Sequence, residues 1–135
     1  MLVIRRDLAE AVIAHAREQH PVEACGYIVG PEGSTTPVRH VPLINAAASC
    51  EYFEFDSAAV LRLYREMDAL GEESVVVYHS HTASEAYPSR SDREFASEPR
   101  AHYVIVGTRD PDEHQLRSYR IVDGQVTEEP VRMVE

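Results

Sequence analysis

The chain has 135 residues, of which 23 are acidic and 13 basic, for a formal net charge of −10. A chain of this length buries roughly two-thirds of its unfolded surface, so one domain with one core is expected. The acid excess, with no run of basic side chains, excludes a general binder of nucleic acid or anionic membrane, because counterion release needs clustered cations.

The opening Met1-Leu2-Val3-Ile4 meets Arg5 and Arg6 at once, too short for a signal-peptide core or a membrane span, so the mature chain is expected to begin where the sequence does. Asp7 and Glu10 have the form of a capping box, and Leu8, Ala11, Val12 and Ala16 make an apolar stripe, which predicts a helix from about Leu8 to Gln19. Pro21 ends it. Cys25 to Gly30 reads as a strand closed by the turn Pro31-Glu32-Gly33, with Glu23 at the joint between helix and strand. Pro37 to Ile44 reads as an edge strand because of its two prolines, and Tyr52 to Phe55 as a short third strand.

From Asp56 the period changes. Val60, Leu63, Tyr64, Met67 and Leu70 fall on one helical face and Gly71 supplies a stop. Ser74-Val75-Val76-Val77 is a β-branched run expected to form a buried strand that surfaces at Tyr78-His79-Ser80-His81. Thr82 to Tyr87 reads as a loop, and Ser89-x-x-Asp92 as the start of a short helix with Phe95 facing inward. His102 to Val106 is a further core strand, and Leu116–Val122 with Val126–Val134 flank Asp123-Gly124 as a hairpin. The whole is an α/β domain, a mixed sheet flanked by helices.

Cys25 and Cys50 show no CxxC spacing, which favours a reducing cytoplasm; a single disulfide stays open at this level. The chemistry concentrates on the histidine pair. Residues two apart on a strand share a face, so His79 and His81 can turn both imidazoles toward one ion, and Asp92 could add a carboxylate from the next element. Two histidines and one carboxylate leave a coordination position open, as catalytic zinc sites do. Each residue also has a plain structural reading: Ser89 and Asp92 suit a helix N-terminus, and Glu23 suits a solvated joint. A metal hydrolase needs a separate carboxylate to carry a proton to the leaving amine, for which Glu23 is the candidate. It also gains from a hydroxyl such as that of Ser89 beside the oxyanion. The nitrogen and oxygen donors accept zinc, manganese or iron alike.

The pattern Glu23, His79-x-His81, seven residues, Ser89, two residues, Asp92 resembles the JAMM (MPN+) motif of zinc isopeptidases. The resemblance covers residues 1–135 as a single JAMM/MPN-like domain and implies that family's α/β fold, a curved mixed sheet flanked by helices. It implies that His79, His81 and Asp92 are the ligands of one Zn²⁺ per chain, that Glu23 is the general acid/base, and that Ser89 steadies the tetrahedral intermediate. Thr82 departs from the proline common in relatives. Pro21-Val22-Glu23-Ala24-Cys25-Gly26, the loop from His79 to Ser89 and the ending Arg117 to Gly124 are similar to the small bacterial hydrolases of sulfur-carrier-protein cysteine adducts. That implies a ubiquitin-like sulfur carrier protein, with cysteine on its C-terminal Gly-Gly tail, as partner and substrate, and a place in cysteine biosynthesis. Arg39, Arg90 and Tyr87 are candidate contacts for the tail.

Other readings remain. The enzyme could act on another ubiquitin-like or peptide substrate. The same fold occurs in non-catalytic scaffold subunits. A thiol hydrolase would use Cys25 with a histidine base. A zinc deaminase lacks its Pro-Cys-x-x-Cys and the common metalloproteases their His-Glu-x-x-His.

Overall fold

The computed structural model describes residues 1–112 and 115–135. Strand β1 (Leu2–Arg5) runs without a loop into helix α1 (Arg6–Gln19). The expected capping box does not form. Arg5 is the N-cap with no side-chain cap, and Asp7 lies in the first turn, paired with Arg5 at 3.0 Å. The strand itself fixes where the helix begins, and an acid in the first turn still meets the positive end of the helix dipole. Helix α2 (Ser57–Leu70) matches its signals closely: the Asp56 side chain accepts from the Ala59 N–H, and Gly71 closes it at φ 65°.

Strands β2 (Cys25–Pro31), β3 (Arg39–Leu43), β4 (Glu72–His81), β5 (His102–Gly107), β6 (Leu116–Val122) and β7 (Gln125–Glu129) form one six-stranded sheet in the order β3-β2-β4-β5-β6-β7. All neighbours are antiparallel except β4 and β5, which are parallel. β3 takes the edge, where its proline is tolerated. Asp123 and Gly124 both adopt positive φ, as a tight β6–β7 hairpin requires. The second arm of that hairpin is not continuous, however. It breaks at Pro130, whose carbonyl accepts the Leu2 N–H at 2.9 Å, and β8 (Val131–Val134) pairs in parallel with β1 in a sheet of its own. The expected strand at Tyr52–Phe55 is reduced to a single bridge between Asn45 and Phe55.

The two long helices cover opposite faces of the sheet. Leu8, Ala9, Val12 and Ala16 of α1 pack with Ile28, Val76, Tyr78, Val104 and Val106, whereas Leu63 and Met67 of α2 pack with Tyr27, Val29 and Val77. Alternation along β4 thus commits Val76 and Tyr78 to one side and Val77, His79 and His81 to the other. Among the described residues no helix is long and apolar enough to cross a membrane.

Tyr78 is fully buried, and its hydroxyl lies 2.7 Å from both His15 Nδ1 and His40 Nε2. A phenol donates one hydrogen bond and accepts another, so it serves two neutral imidazoles at once. Burial holds both histidines below their usual pKa, which keeps them neutral. The ring reaches this position because Gly26 opposite has no side chain. A methyl group there would stand 2.7 Å from the Tyr78 hydroxyl and from the Val41 carbonyl. Gly26→Ala should therefore destabilise the fold by about 1–3 kcal/mol, as overpacking does. Urea denaturation reads this as a lower midpoint, and an unchanged midpoint would refute the packing argument.

Candidate metal centre

β4 carries the first two residues of the centre on one face. His79 is in register with Cys25 of β2 and Ile105 of β5, and His81 with Gly107 of β5. Both histidines are 5% exposed. The chain then leaves the sheet and returns over this face as the short helix α3 (Arg90–Phe95). Ser89 is the α3 N-cap: its Oγ accepts from the Asp92 N–H at 3.1 Å, and Asp92 Oδ2 accepts from the Ser89 N–H at 2.8 Å. This reciprocal box fixes the Asp92 side chain. Its Oδ2 lies 3.1 Å from His79 Nε2 and 3.1 Å from His81 Nε2, and the two nitrogens are 3.1 Å apart.

The chemistry of these three atoms calls for a cation. His81 Nδ1 lies 2.8 Å from the Glu85 carbonyl, which can only accept, so Nδ1 carries the proton and Nε2 of the neutral ring presents a lone pair. A carboxylate oxygen and the second imidazole face the same point. The triangle's edges approach the roughly 3.3 Å between ligands of a tetrahedral ion bound at about 2.0 Å. His79, His81 and Asp92 form a group that could hold a metal ion. Burial drives His79 down despite Asp92, while His81, also opposed by burial, is raised on balance by its hydrogen bonds to Asp92 and the Glu85 carbonyl and by the nearby acidic charges. Against burial, the two histidines hold Asp92 well below the usual carboxylate range.

Glu23 precedes β2. Continuing the antiparallel register from Cys25 opposite His79 brings Glu23 level with His81. The residue is 4% exposed, and burial pushes its pKa up to about 8, with the His81 charge opposing and the Asp92 charge adding. Ala24 ties this segment to β4: its N–H donates to Ser80 Oγ at 2.8 Å, and the Ser80 N–H donates to its carbonyl at 3.0 Å. Thr82, the departure from the motif, donates to the Cys50 carbonyl at 2.9 Å and so anchors the loop that follows β3. The Ser89 Oγ is used only as an acceptor among the described residues, which leaves its proton for another oxygen.

The structure therefore brings His79, His81, Asp92 and Ser89 together and sets Glu23 within electrostatic range of them. The inward orientation expected of Phe95 fails: it is 81% exposed, because α3 is too short to lie flat on the sheet and buries none of its residues. Arg39 pairs with Glu66 and Glu72 at the opposite end of β4 from the histidines. Arg90 is on the exposed side of α3, paired with Glu94, and Tyr87 packs edge-on against Tyr119. Cys25 and Cys50 are free thiols. Cys25 is fully buried and burial pushes its pKa up to about 12, so it offers no thiolate for nucleophilic attack. Sequence reasoning missed Phe53, whose ring stacks on His79 with centroids 4.5 Å apart. Phe53 also lines a groove of about 460 Å³ that begins at His79 and Asp92 and continues over Tyr27, Phe55, Tyr103 and Ile121.

Comparison with known proteins places the sequence and the fold in a family. The family described as Prok-JAB, prokaryotic homologs of the JAB domain, matches residues 5–122. The CysO-cysteine peptidase of Mycobacterium tuberculosis is 59% identical over 135 residues, covering 100% of this chain and 92% of that protein. Among solved structures, the protein DSY2949 from Desulfitobacterium hafniense superposes with a TM-score of 0.86 at 31% identity, covering 100% of this chain and 94% of that one. A JAB1/MPN domain protein from Archaeoglobus fulgidus, AF2198, shares the fold with a TM-score of 0.64 at 18% identity and full coverage of both chains.

Proposed function

The chain belongs to the prokaryotic JAB-domain family, the JAMM-type peptidases, and from that premise we propose that it is a zinc-dependent hydrolase of a carrier-cysteine amide bond. The bond joins the C-terminal glycine of a ubiquitin-like sulfur carrier protein to cysteine, and its hydrolysis frees cysteine for biosynthesis. Residues 1–135 act as one catalytic unit in the cytoplasm. The observation that carries the reading is the buried triangle of His79 Nε2, His81 Nε2 and Asp92 Oδ2, three electron-rich atoms 3.1 Å apart with a buried carboxyl beside them. The substrate class is supported by the likeness, over the full length of the chain, to a CysO-cysteine peptidase.

In this reading His79, His81 and Asp92 hold one zinc ion. When bound there, zinc polarises the scissile carbonyl and lowers the pKa of water to about 7. Glu23 takes the proton from the attacking water and delivers it to the leaving amine of cysteine. Burial suits it to both halves of that task, because a carboxyl with a raised pKa is a competent acid as well as a base. Ser89 accepts from its own helix and donates its free proton to the developing oxyanion, a contact of roughly 3 kcal/mol in comparable sites. The Glu85 carbonyl holds His81 in the metal-binding tautomer.

The test is direct. The metal-loaded protein is incubated with a carrier bearing C-terminal cysteine, and mass spectrometry should show loss of one cysteine residue that a chelator suppresses. An intact carrier in the presence of bound zinc would refute the substrate assignment.

A further inference from the structure

We propose that Asn45 is the positioning residue for Glu23, an assignment that rests on the peptidase reading above. Asn45 follows β3, is 6% exposed, and spends its whole amide on backbone groups. Its Nδ2 donates to the Glu23 carbonyl at 3.1 Å and the Tyr52 carbonyl at 3.0 Å, with the Ser49 carbonyl at 3.4 Å. Its Oδ1 accepts from the N–H groups of Ala47 and Glu54, both at 3.0 Å. The Ser49 carbonyl in turn accepts the Glu23 N–H at 2.9 Å. Both peptide groups that flank the Glu23 Cα are thus tied to one side chain, one directly and one through Ser49.

This matters because Glu23 lies outside β2 and has no ladder of its own. One residue later, Ala24 is stitched to Ser80, between the two histidines. Glu23 is therefore pinned between the histidine strand on one side and Asn45 on the other, and its backbone has no freedom to withdraw the carboxylate. The same amide fixes the residues on either side of Phe53, through Tyr52 and Glu54, and so sets the ring that lies on His79. One buried side chain thereby sets the base relative to a ligand. A displacement of about 1 Å at such a group can cost on the order of 10²-fold in rate.

A residue that only builds the 45–54 loop predicts different behaviour from one that acts through Glu23, and a double-mutant cycle separates them. In the full chain loaded with zinc, kcat, KM and metal content are measured for the wild type, Asn45→Ala, Glu23→Gln and the double variant on the carrier-cysteine substrate. Asn45→Ala should lower kcat by about 10–100-fold at unchanged metal content, with KM within about twofold. On the Glu23→Gln background the same substitution should change kcat by less than about twofold. Losses that multiply in the double variant, or that fall on KM or metal content, overturn the positioning role. A fully active Glu23→Gln overturns the general-base reading itself. If Asn45→Ala does not fold, Asn45→Ser, whose one hydroxyl proton cannot serve the Glu23 and Tyr52 carbonyls together, completes the cycle. Independently of turnover, amide exchange at Glu23 should quicken by about tenfold in the variant while Val76 in the core of β4 is unchanged. Unaltered exchange at Glu23 counts against the proposal.

Discussion

Glu23→Gln is expected to keep its metal and lose turnover by about 10²–10⁴-fold, the usual worth of a positioned acid/base. The amide has the volume of the carboxyl and can donate and accept hydrogen bonds, but it cannot take a proton from water. The variant should fold at least as well as the wild type. Glu23 is 4% exposed with its pKa pushed up to about 8 by burial, so its ionised form is the costly one and an uncharged replacement relieves the site. Turnover per zinc-loaded chain, with the metal counted by elemental analysis, reads the effect without confusion from unfolding. Full activity at full metal content would remove Glu23 from the mechanism.

The second large effect concerns the ligands. His79→Ala should lower zinc content from about one per chain to near zero. Its loss should exceed the roughly 10–100-fold drop in affinity that follows removal of a hydrogen-bond partner behind a ligand. Asp92 needs more care, because its Oδ2 both faces the histidines and accepts the Ser89 N–H. Asp92→Ala also removes the acceptor of the Ser89 N–H, one half of the α3 capping box, while the Ser89 Oγ still caps the helix. Asp92→Asn retains an oxygen for the cap and removes the charge. If Asp92 is a ligand, Asn and Ala variants should both lose zinc while only Ala loosens α3. Metal retained in Asp92→Asn would reduce Asp92 to a capping residue.

Where the sequence carried local rules the fold could be read from it, and where distant segments decide the outcome it could not. Helix α2 is marked at both ends by Asp56 and Gly71, and the structure uses both. β1 escaped notice because four residues carry little pattern and its partner β8 lies at the other end of the chain. Tyr52–Phe55 has strand-like residues, yet the Asn45 side chain takes the Tyr52 carbonyl and Glu54 N–H that a neighbouring strand would have bonded. An asparagine ahead of Ala46, Ala47 and Ala48 is a turn signal, and weighing it would have found the loop. At the site, the spacing of His79, His81 and Asp92 was legible as a possible ligand set. That Glu23 stands beside His81 was not, since it depends on the antiparallel register of β2 on β4.

The parallel pairing of β4 and β5 explains why the carboxylate of the centre stands eleven positions after His81. Antiparallel neighbours can be joined by two residues, but a parallel neighbour obliges the chain to travel back the full length of the strand before it can re-enter the sheet. That return journey, residues 82–101, begins where the histidines end and has to pass over one face or the other. Ser89 and Asp92 ride on it. With β5 reversed, a tight hairpin would have left no chain above His79 and His81, and the pair would have faced solvent without a third donor.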